Sequence, residues 1–417
     1  ARALVPYDSL FPVLSTLRAA GPVTTSELVD RTGLTRKVVT QRLDELVAAG
    51  LAEIGGLSRS TGGRAPREIR FVHGGGQILV AELTARTATA GLTDLAGTIL
   101  AEVRDDVDPA AGPDESLTMV ERLFDELLAG RPVGSPPIHG IGIGVPGPVA
   151  HDTGLPLGAL AVPEWVGYPV EKRLSERYGL PVWVENDANL LAIGELRAGA
   201  ARGHRDVLFI KFGYGIGGAV ISSGELRRGA KGFAGELGHV RVVPDGPDLC
   251  WCGLRGCLTQ VVGSRALSRQ GREAAADGSS PILAAIQAQG REITAREVFT
   301  AAAAGDPVST ALLAKAGELL GTVVAILVSA LNPSLVLVDA SLLTAGDPLM
   351  TALQQTVAER ALPGASQDLR FGISSLGNSA ALVGAGYLVV DELFSPDLLR
   401  LWAPHGTPAG APELLTR

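Results

Sequence analysis

Apolar residues at Leu10, Val13, Leu14 and Leu17 recur at helical spacing, which predicts a first helix from about Ser9 to Ala20, stopped by Gly21-Pro22. Thr24 and Glu27 then stand three apart ahead of Leu28 and Val29. That is a capping-box pattern, and it opens a short helix to about Thr32. Gly33 turns the chain, and Thr35 caps a third helix that runs to about Ala49 and ends at Gly50. Val39, Leu43, Leu46 and Val47 form its apolar face; Arg36, Lys37, Thr40, Gln41 and Asp44 fall on the other side. Strand patterns at Leu51–Ile54 and Ile69–Phe71 flank a glycine-rich stretch, Gly55 to Arg67, and together predict a β-hairpin with Arg59, Arg64 and Arg67 at its tip.

From about residue 77 the pattern changes to strands alternating with helices. Gln77–Leu83, Thr87–Thr93 and Ile99–Val103 read as strands, and Leu117–Leu128 as an amphipathic helix. Ile138–Val145 is an apolar strand ending in Pro146-Gly147. Val182–Val184 feeds Glu185-Asn-Asp-Ala-Asn189, and Val207–Phe212 feeds Gly213-Tyr-Gly-Ile-Gly-Gly218. Polar residues and glycine loops at strand ends mark an α/β protein with ligands bound there. Ala311–Leu331 reads as a helix of the body's core, a dimer surface being the alternative, and the proline-bearing tail after Trp402 as loosely ordered. The predicted organisation is residues 1–72, residues 77–400 in two lobes, and a tail, 401–417.

Composition sharpens this division. The 417 residues, 46% apolar and 19% charged, describe an ordered chain of two or three domains. Residues 1–72 hold 10 Lys+Arg and 7 Asp+Glu, a net +3. The remaining 26 basic and 37 acidic residues give −11 within an overall −8. A basic module on an acidic body suits DNA binding by one end. A third helix with its first turns exposed, Thr35 to Gln41, followed by an arginine-bearing wing, is the layout of a winged helix-turn-helix that reads double-stranded DNA. A merely solvated helix face is the plainer alternative. No apolar run reaches about 18 residues, and Ala1–Leu10 carries none, so a cytoplasmic protein away from membranes is expected.

All three cysteines lie between Cys250 and Cys257, close after His239. One imidazole and three thiolates, His239, Cys250, Cys252 and Cys257, make the donor set of a structural zinc site. A redox Cys-x-Cys pair is the alternative.

The chain resembles the ROK (repressor, ORF, kinase) family over nearly its whole length. The carriers are Gly142-Ile-Gly-Val-Pro-Gly147, Glu185-Asn-Asp-Ala-Asn189, Gly235-Glu-Leu-Gly-His239, the cysteine cluster and Leu376-Gly-Asn-Ser-Ala380. The resemblance implies an α/β fold: a winged helix-turn-helix plus a two-lobed, actin-like, sugar-kinase-like body. It also implies sugar contacts from Gly147, Asn186, Asp187, Glu236 and His239, with Asp187 where the family's kinases keep their base. The nucleotide side departs from the kinase pattern. Asp-x-Gly-Gly-Thr becomes Glu82-Leu-Thr84-Ala85-Arg86, Gly-Thr-Gly-x-Gly becomes Gly213-Tyr214-Gly-Ile-Gly217, and Gly-Gly-Gly becomes Asp339-Ala340-Ser341. Side chains in place of glycine obstruct phosphate. On the sugar side, Ala161 and Thr259 replace a usual Asn and Glu. The expectation is a sugar-responsive repressor without catalytic residues, binding operator DNA as a homodimer or homotetramer and sensing a small-molecule effector. The alternative is an active ATP-dependent sugar kinase carrying a DNA-binding domain.

Overall fold

The computed structural model describes residues 9–57, 67–108, 111–158, 163–244, 246, 248–339 and 347–415. The first module comprises α1 (Leu10–Ala20), β1 (Val23–Thr24), α2 (Thr25–Thr32), α3 (Arg36–Ala48), β2 (Ala52–Leu57) and β3 (Arg67–Phe71). Its small antiparallel sheet has the order β1-β3-β2. Both predicted caps form. Glu27 N donates to Thr24 Oγ1 at 3.3 Å while Thr24 N donates back to the Glu27 carboxylate at 2.7 Å, and Val38 N donates to Thr35 Oγ1 at 3.4 Å. The apolar face of α3 needs one correction: Val47 is 40% exposed and Arg42 only 6%. Arg42 Nε donates to Ser9 Oγ at 2.9 Å and its guanidinium also holds Glu45, so a satisfied cation closes the helix packing instead of a valine. Arg59 and Arg64 lie outside the described residues.

The body holds two five-stranded sheets. The first consists of β4 (Gln77–Leu83), β5 (Thr87–Asp94), β6 (Ile99–Asp106), β7 (Ile138–Val145) and β8 (Val182–Asn186), in the order β6-β5-β4-β7-β8. With it go α4 (Pro113–Ala129), α5 (Val170–Tyr178) and α6 (Asp187–Ala198). The second consists of β9 (Val207–Phe212), β10 (Ile216–Ser222), β11 (Glu225–Arg227), β12 (Leu335–Val338) and β13 (Arg370–Ile373), in the order β11-β10-β9-β12-β13. Each sheet is an antiparallel meander of three strands extended by two parallel ones, so the two lobes repeat one topology. Helices α7 (Leu258–Val262), α8 (Ser264–Ala276), α9 (Pro281–Ala288), α10 (Ala295–Ala303), α11 (Pro307–Leu331), α12 (Pro348–Arg360) and α13 (Pro363–Ser366) build out the second lobe. By length and apolarity α11 resembles a bilayer span, but Leu313, Leu320, Val324 and Val328 are buried in the lobe's core, as expected for a core helix.

The chain finishes with α14 (Ala380–Leu393) and α15 (Pro396–Trp402). α14 crosses α6 closely: a Cβ at Gly384 would meet Leu190 O at 1.9 Å, and one at Gly194 would meet Ala380 O at 2.1 Å. The tail is not loose. Trp402, Ala411 and Leu414 are each at most 2% exposed and share one apolar cluster with α14, α15 and the DNA module. Burial of those three apolar side chains outweighs the proline-rich composition. The module itself is docked. Phe71 meets Phe394 edge-on at 6.0 Å, and the Arg18 guanidinium lies over Phe394 at 5.1 Å while pairing with Asp391 at 3.0 Å. Asp391 also takes Arg197, from the C-terminal end of α6.

Candidate ligand cleft and metal centre

Between the lobes lies a cleft of about 330 Å³, lined on one side by Gly147, Asn186, Asp187, Glu236 and His239. Of the five sequence-predicted sugar residues, Asn186 ends a strand and Asp187 starts a helix. Asn186 closes β8 and caps α6, its Oδ1 accepting from Asn189 N at 3.1 Å. Its amide donates to Gly147 O at 2.8 Å, and Gly147 needs its φ of +88° and its missing side chain, since a Cβ would sit 2.9 Å from Gly158 O. Asp187 opens α6 with Oδ1 accepting from Ala188 N at 2.7 Å. Burial, then the charge of Asp187, pushes Glu236 up to about 7, so this carboxyl can donate to as well as accept from a hydroxyl. Thr259 also lines the cleft, and its Oγ1 accepts from Ile216 N at 3.0 Å. It therefore braces the glycine loop where a longer carboxylate would reach into the cleft. Ala161 lies outside the described residues.

On the other side are Glu82, Thr84, Ala85, Arg86, Tyr214 and Asp339, the residues that break the nucleotide pattern. Ala340 and Ser341 lie outside the described residues. The decisive group here was not foreseen. Lys211, on β9, pairs with the Asp187 carboxylate and stands 3.7 Å from Glu82, with its side chain 17% exposed. Burial opposes its charge, but Asp187 and Glu82 more than offset that, and its pKa stands above the ordinary lysine value. Burial pushes Glu82 up to about 7 against the pull of Lys211. The Asp187 carboxylate is thus already paired with a resident cation. The signal available in sequence was a lone lysine within the apolar strand Val-Leu-Phe-Ile-Lys211-Phe. A second link missed by the sequence joins the lobes: Arg228, just past β11, pairs at 2.5 Å with Glu185, whose side chain is 4% exposed.

The metal-ligand set assembles. One ligand atom from each of His239, Cys250, Cys252 and Cys257 lies within 4.8 Å of the others. Cys250 Sγ is 3.5 Å from His239 Nδ1, and Cys252 Sγ is 3.6 Å from Cys257 Sγ. A tetrahedral ion with metal–sulfur bonds of about 2.3 Å sets its ligands about 3.7 Å apart, so the donors fit. Burial pushes the Cys257 thiol up, and a cation held by these donors would favour its ionised form. His239 Nε2, on the far side of the ring, faces the Glu236 carboxylate at 3.7 Å, so the imidazole spans metal site and cleft.

A model described as the ROK family matches residues 82–392, three quarters of the chain, and one described as the MarR family matches residues 11–64. The chain belongs to the ROK family. The ROK body is shared with a glucokinase of Halalkalibacterium halodurans, 35% identical over 66% of this chain and 83% of that protein. A xylose repressor of Caldicellulosiruptor bescii is 28% identical over 89% of this chain and 91% of its own length, more than the ROK body alone spans. A crystal structure described as a ROK family transcriptional regulator, homolog of the E. coli MLC protein, superposes with a TM-score of 0.81. It covers 96% of this chain and 99% of that one at 24% identity, and so shares the fold, winged helix-turn-helix included. In this ROK protein Thr35, Arg36, Lys37, Thr40 and Gln41 are all exposed along the first turns of α3, and Arg67 is exposed at the start of β3. The five residues at the start of α3 lie away from the buried Val39, Leu43 and Leu46.

Proposed function

We propose that this ROK protein is a cytoplasmic transcriptional repressor that binds operator DNA as a dimer and releases it in response to a small sugar-class effector. The reading rests above all on one observation, the exposed α3 face of a winged module whose core is continuous with the ligand-binding body. Arg36, Lys37, Thr40 and Gln41 meet base edges and phosphates of a major groove, Thr35 orients the first turn, and Arg59, Arg64 and Arg67 of the wing meet backbone or minor groove. Two such modules are needed for useful affinity on a pseudo-palindromic site. Asn186, Asp187, Glu236 and His239 hold the effector's hydroxyls and Gly147 leaves them room. The names of the repressor relatives support a sugar, and a coupling of about 1–3 kcal/mol between the sites makes a useful switch.

His239, Cys250, Cys252 and Cys257 hold a zinc ion that closes the loop bearing Glu236. The ion's service is structural. Asp187 does not act as a base: Lys211 already pairs with it, and Thr84, Ala85 and Tyr214 line the nucleotide half with side chains bulkier than the kinase pattern carries. Fluorescence anisotropy against DNA upstream of its own gene, repeated with a panel of sugars and sugar phosphates, tests the reading. Nanomolar, ligand-sensitive binding supports it; ligand-indifferent binding removes the sensor. The glucokinase relatives favour a second reading, an ATP-dependent sugar kinase, and turnover of any hexose at ordinary enzyme rates would establish it.

A further inference from the structure

Beside the cleft, and sharing Arg86, Tyr214 and Ser264 with it, lies a groove of about 450 Å³. Its walls carry four guanidinium groups, Arg86, Arg265, Arg272 and Arg296, against a single carboxylate, Glu292. This concentration stands on a body with a net charge of −11. Among the described residues, no ion pair engages these four arginines; Arg272 donates to the backbone oxygen of Ile293 at 3.3 Å. Neighbouring arginines are neutralised in the ordinary way, Arg269 by Asp248 and Glu273, and Arg291 by Glu297.

The placement is also contrary to helix electrostatics. Arg265 sits in the first turn of α8, which has no acidic residue there, so a cation faces the positive end of the helix. Arg272 is two turns further along the same face, with Ser268 between them. Arg296 opens α10 on the facing wall, and Arg86 reaches in from the β4–β5 turn of the other lobe. Local rules broken together at one concavity mark a functional site.

We propose that this groove binds the phosphoryl group of a small ligand, with Arg265 and Arg272 as its principal donors and Arg86 closing on it from across the cleft. Guanidinium forks match phosphate oxygens in pairs, and a dianion offsets the like charges that the fold otherwise leaves facing one another. Because the groove opens off the cleft at Arg86, Tyr214 and Ser264, a phosphorylated ligand seated in the cleft can extend into it, and its phosphate then links the lobes. In that form the proposal rests on the sugar-sensing reading above. A nucleotide or free phosphate offers the same chemistry.

The test is isothermal titration calorimetry on the full-length protein at low salt with glucose, glucose 6-phosphate, adenosine, ATP and inorganic phosphate, repeated on Arg265→Glu/Arg272→Glu. These side chains are exposed, and an unchanged melting temperature verifies that the variant folds. At least one phosphorylated probe should bind at least tenfold more tightly than its unphosphorylated counterpart, or inorganic phosphate should bind measurably. The charge reversal should abolish that binding or margin while leaving affinity for glucose unchanged. A margin for glucose 6-phosphate alone identifies the sugar-linked source; a response to ATP or phosphate identifies a separate one. Absence of any phosphate-dependent binding, or binding indifferent to the reversal, overturns the proposal.

Discussion

The two sides of the interlobe cleft are built differently. On the side of Asn186, Asp187 and Glu236, short polar side chains are held by backbone and amide hydrogen bonds, and the metal-ligand loop stands directly behind them. On the side of Glu82, Thr84 and Tyr214, room that glycines would leave open is taken by side chains, and a buried lysine occupies the charge centre. Binding a neutral polyol needs donors and acceptors at fixed positions; transferring a phosphoryl group needs empty space and an unencumbered base as well. Lys211 leaves the first set of requirements in place and pairs with the carboxylate that the second would need free, which is the ground of the proposal that the cleft senses rather than transfers.

The largest expected effect follows directly. Wild-type protein should phosphorylate no hexose faster than about 10⁻³ s⁻¹, some three orders below the slow end of ordinary kinases, in a coupled assay with ATP and magnesium. Thr84→Gly/Ala85→Gly/Lys211→Thr should gain ATP affinity by calorimetry; no gain would show that the obstruction lies elsewhere. Next, Cys257→Ser should reduce bound metal, measured by mass spectrometry of the native protein, from one equivalent to none. It should also weaken sugar-side ligands about 10–100-fold through loss of the support behind Glu236. An unchanged ligand affinity would separate the metal loop from the cleft.

Lys211→Met should cost about 3–5 kcal/mol in urea unfolding, since Asp187 is left buried and unpaired, and adding Asp187→Asn should recover most of that. Glu82 supplies a pH signature. Its folded value of about 7 lies above the unfolded 4.5, so the folded chain keeps a proton that the unfolded chain has lost. That contribution is present in full below pH 4.5 and is lost as pH rises through 7, about 3 kcal/mol in all. Glu82→Gln should remove it in a difference curve of stability against pH. The difference is essential, because His139, 2% exposed and pushed down to about 4 by burial, acts with the opposite sign as pH falls from 6.5. The smallest effect is in the DNA module: Arg36→Ala should weaken operator binding and lower its salt slope by about 1 while leaving effector affinity untouched.

Strands such as Ile138–Val145 and Val207–Phe212 are legible residue by residue, because a continuous apolar run bounded by glycine or proline admits few alternatives. The metal ligands are legible too, since soft donors so closely spaced have few other uses. Lys211 was not, because its partners Asp187 and Glu82 are 24 and 129 positions away and only the folded sheets bring the three together. Arg42 escaped for a similar reason: it is met by Ser9, just ahead of another helix. The tail misled through composition. Its prolines suggest looseness, and nothing local reveals that Trp402 and Leu414 find the module's apolar cluster.

The crossing of α6 and α14 has a mechanical consequence. With glycines at 194 and 384 the two backbones touch, leaving no side-chain layer to absorb relative motion. The pair is a lever without backlash. One end is Asp187, in the cleft; the other is the junction where Arg197 and Arg18 share Asp391. Twelve residues of α6 make an arm of about 18 Å, so a tilt of about 5° at the ligand end becomes roughly 1.5 Å of travel at the other. That displacement is comparable to the shifts by which packed interfaces change state, and the DNA module is fastened at its far end.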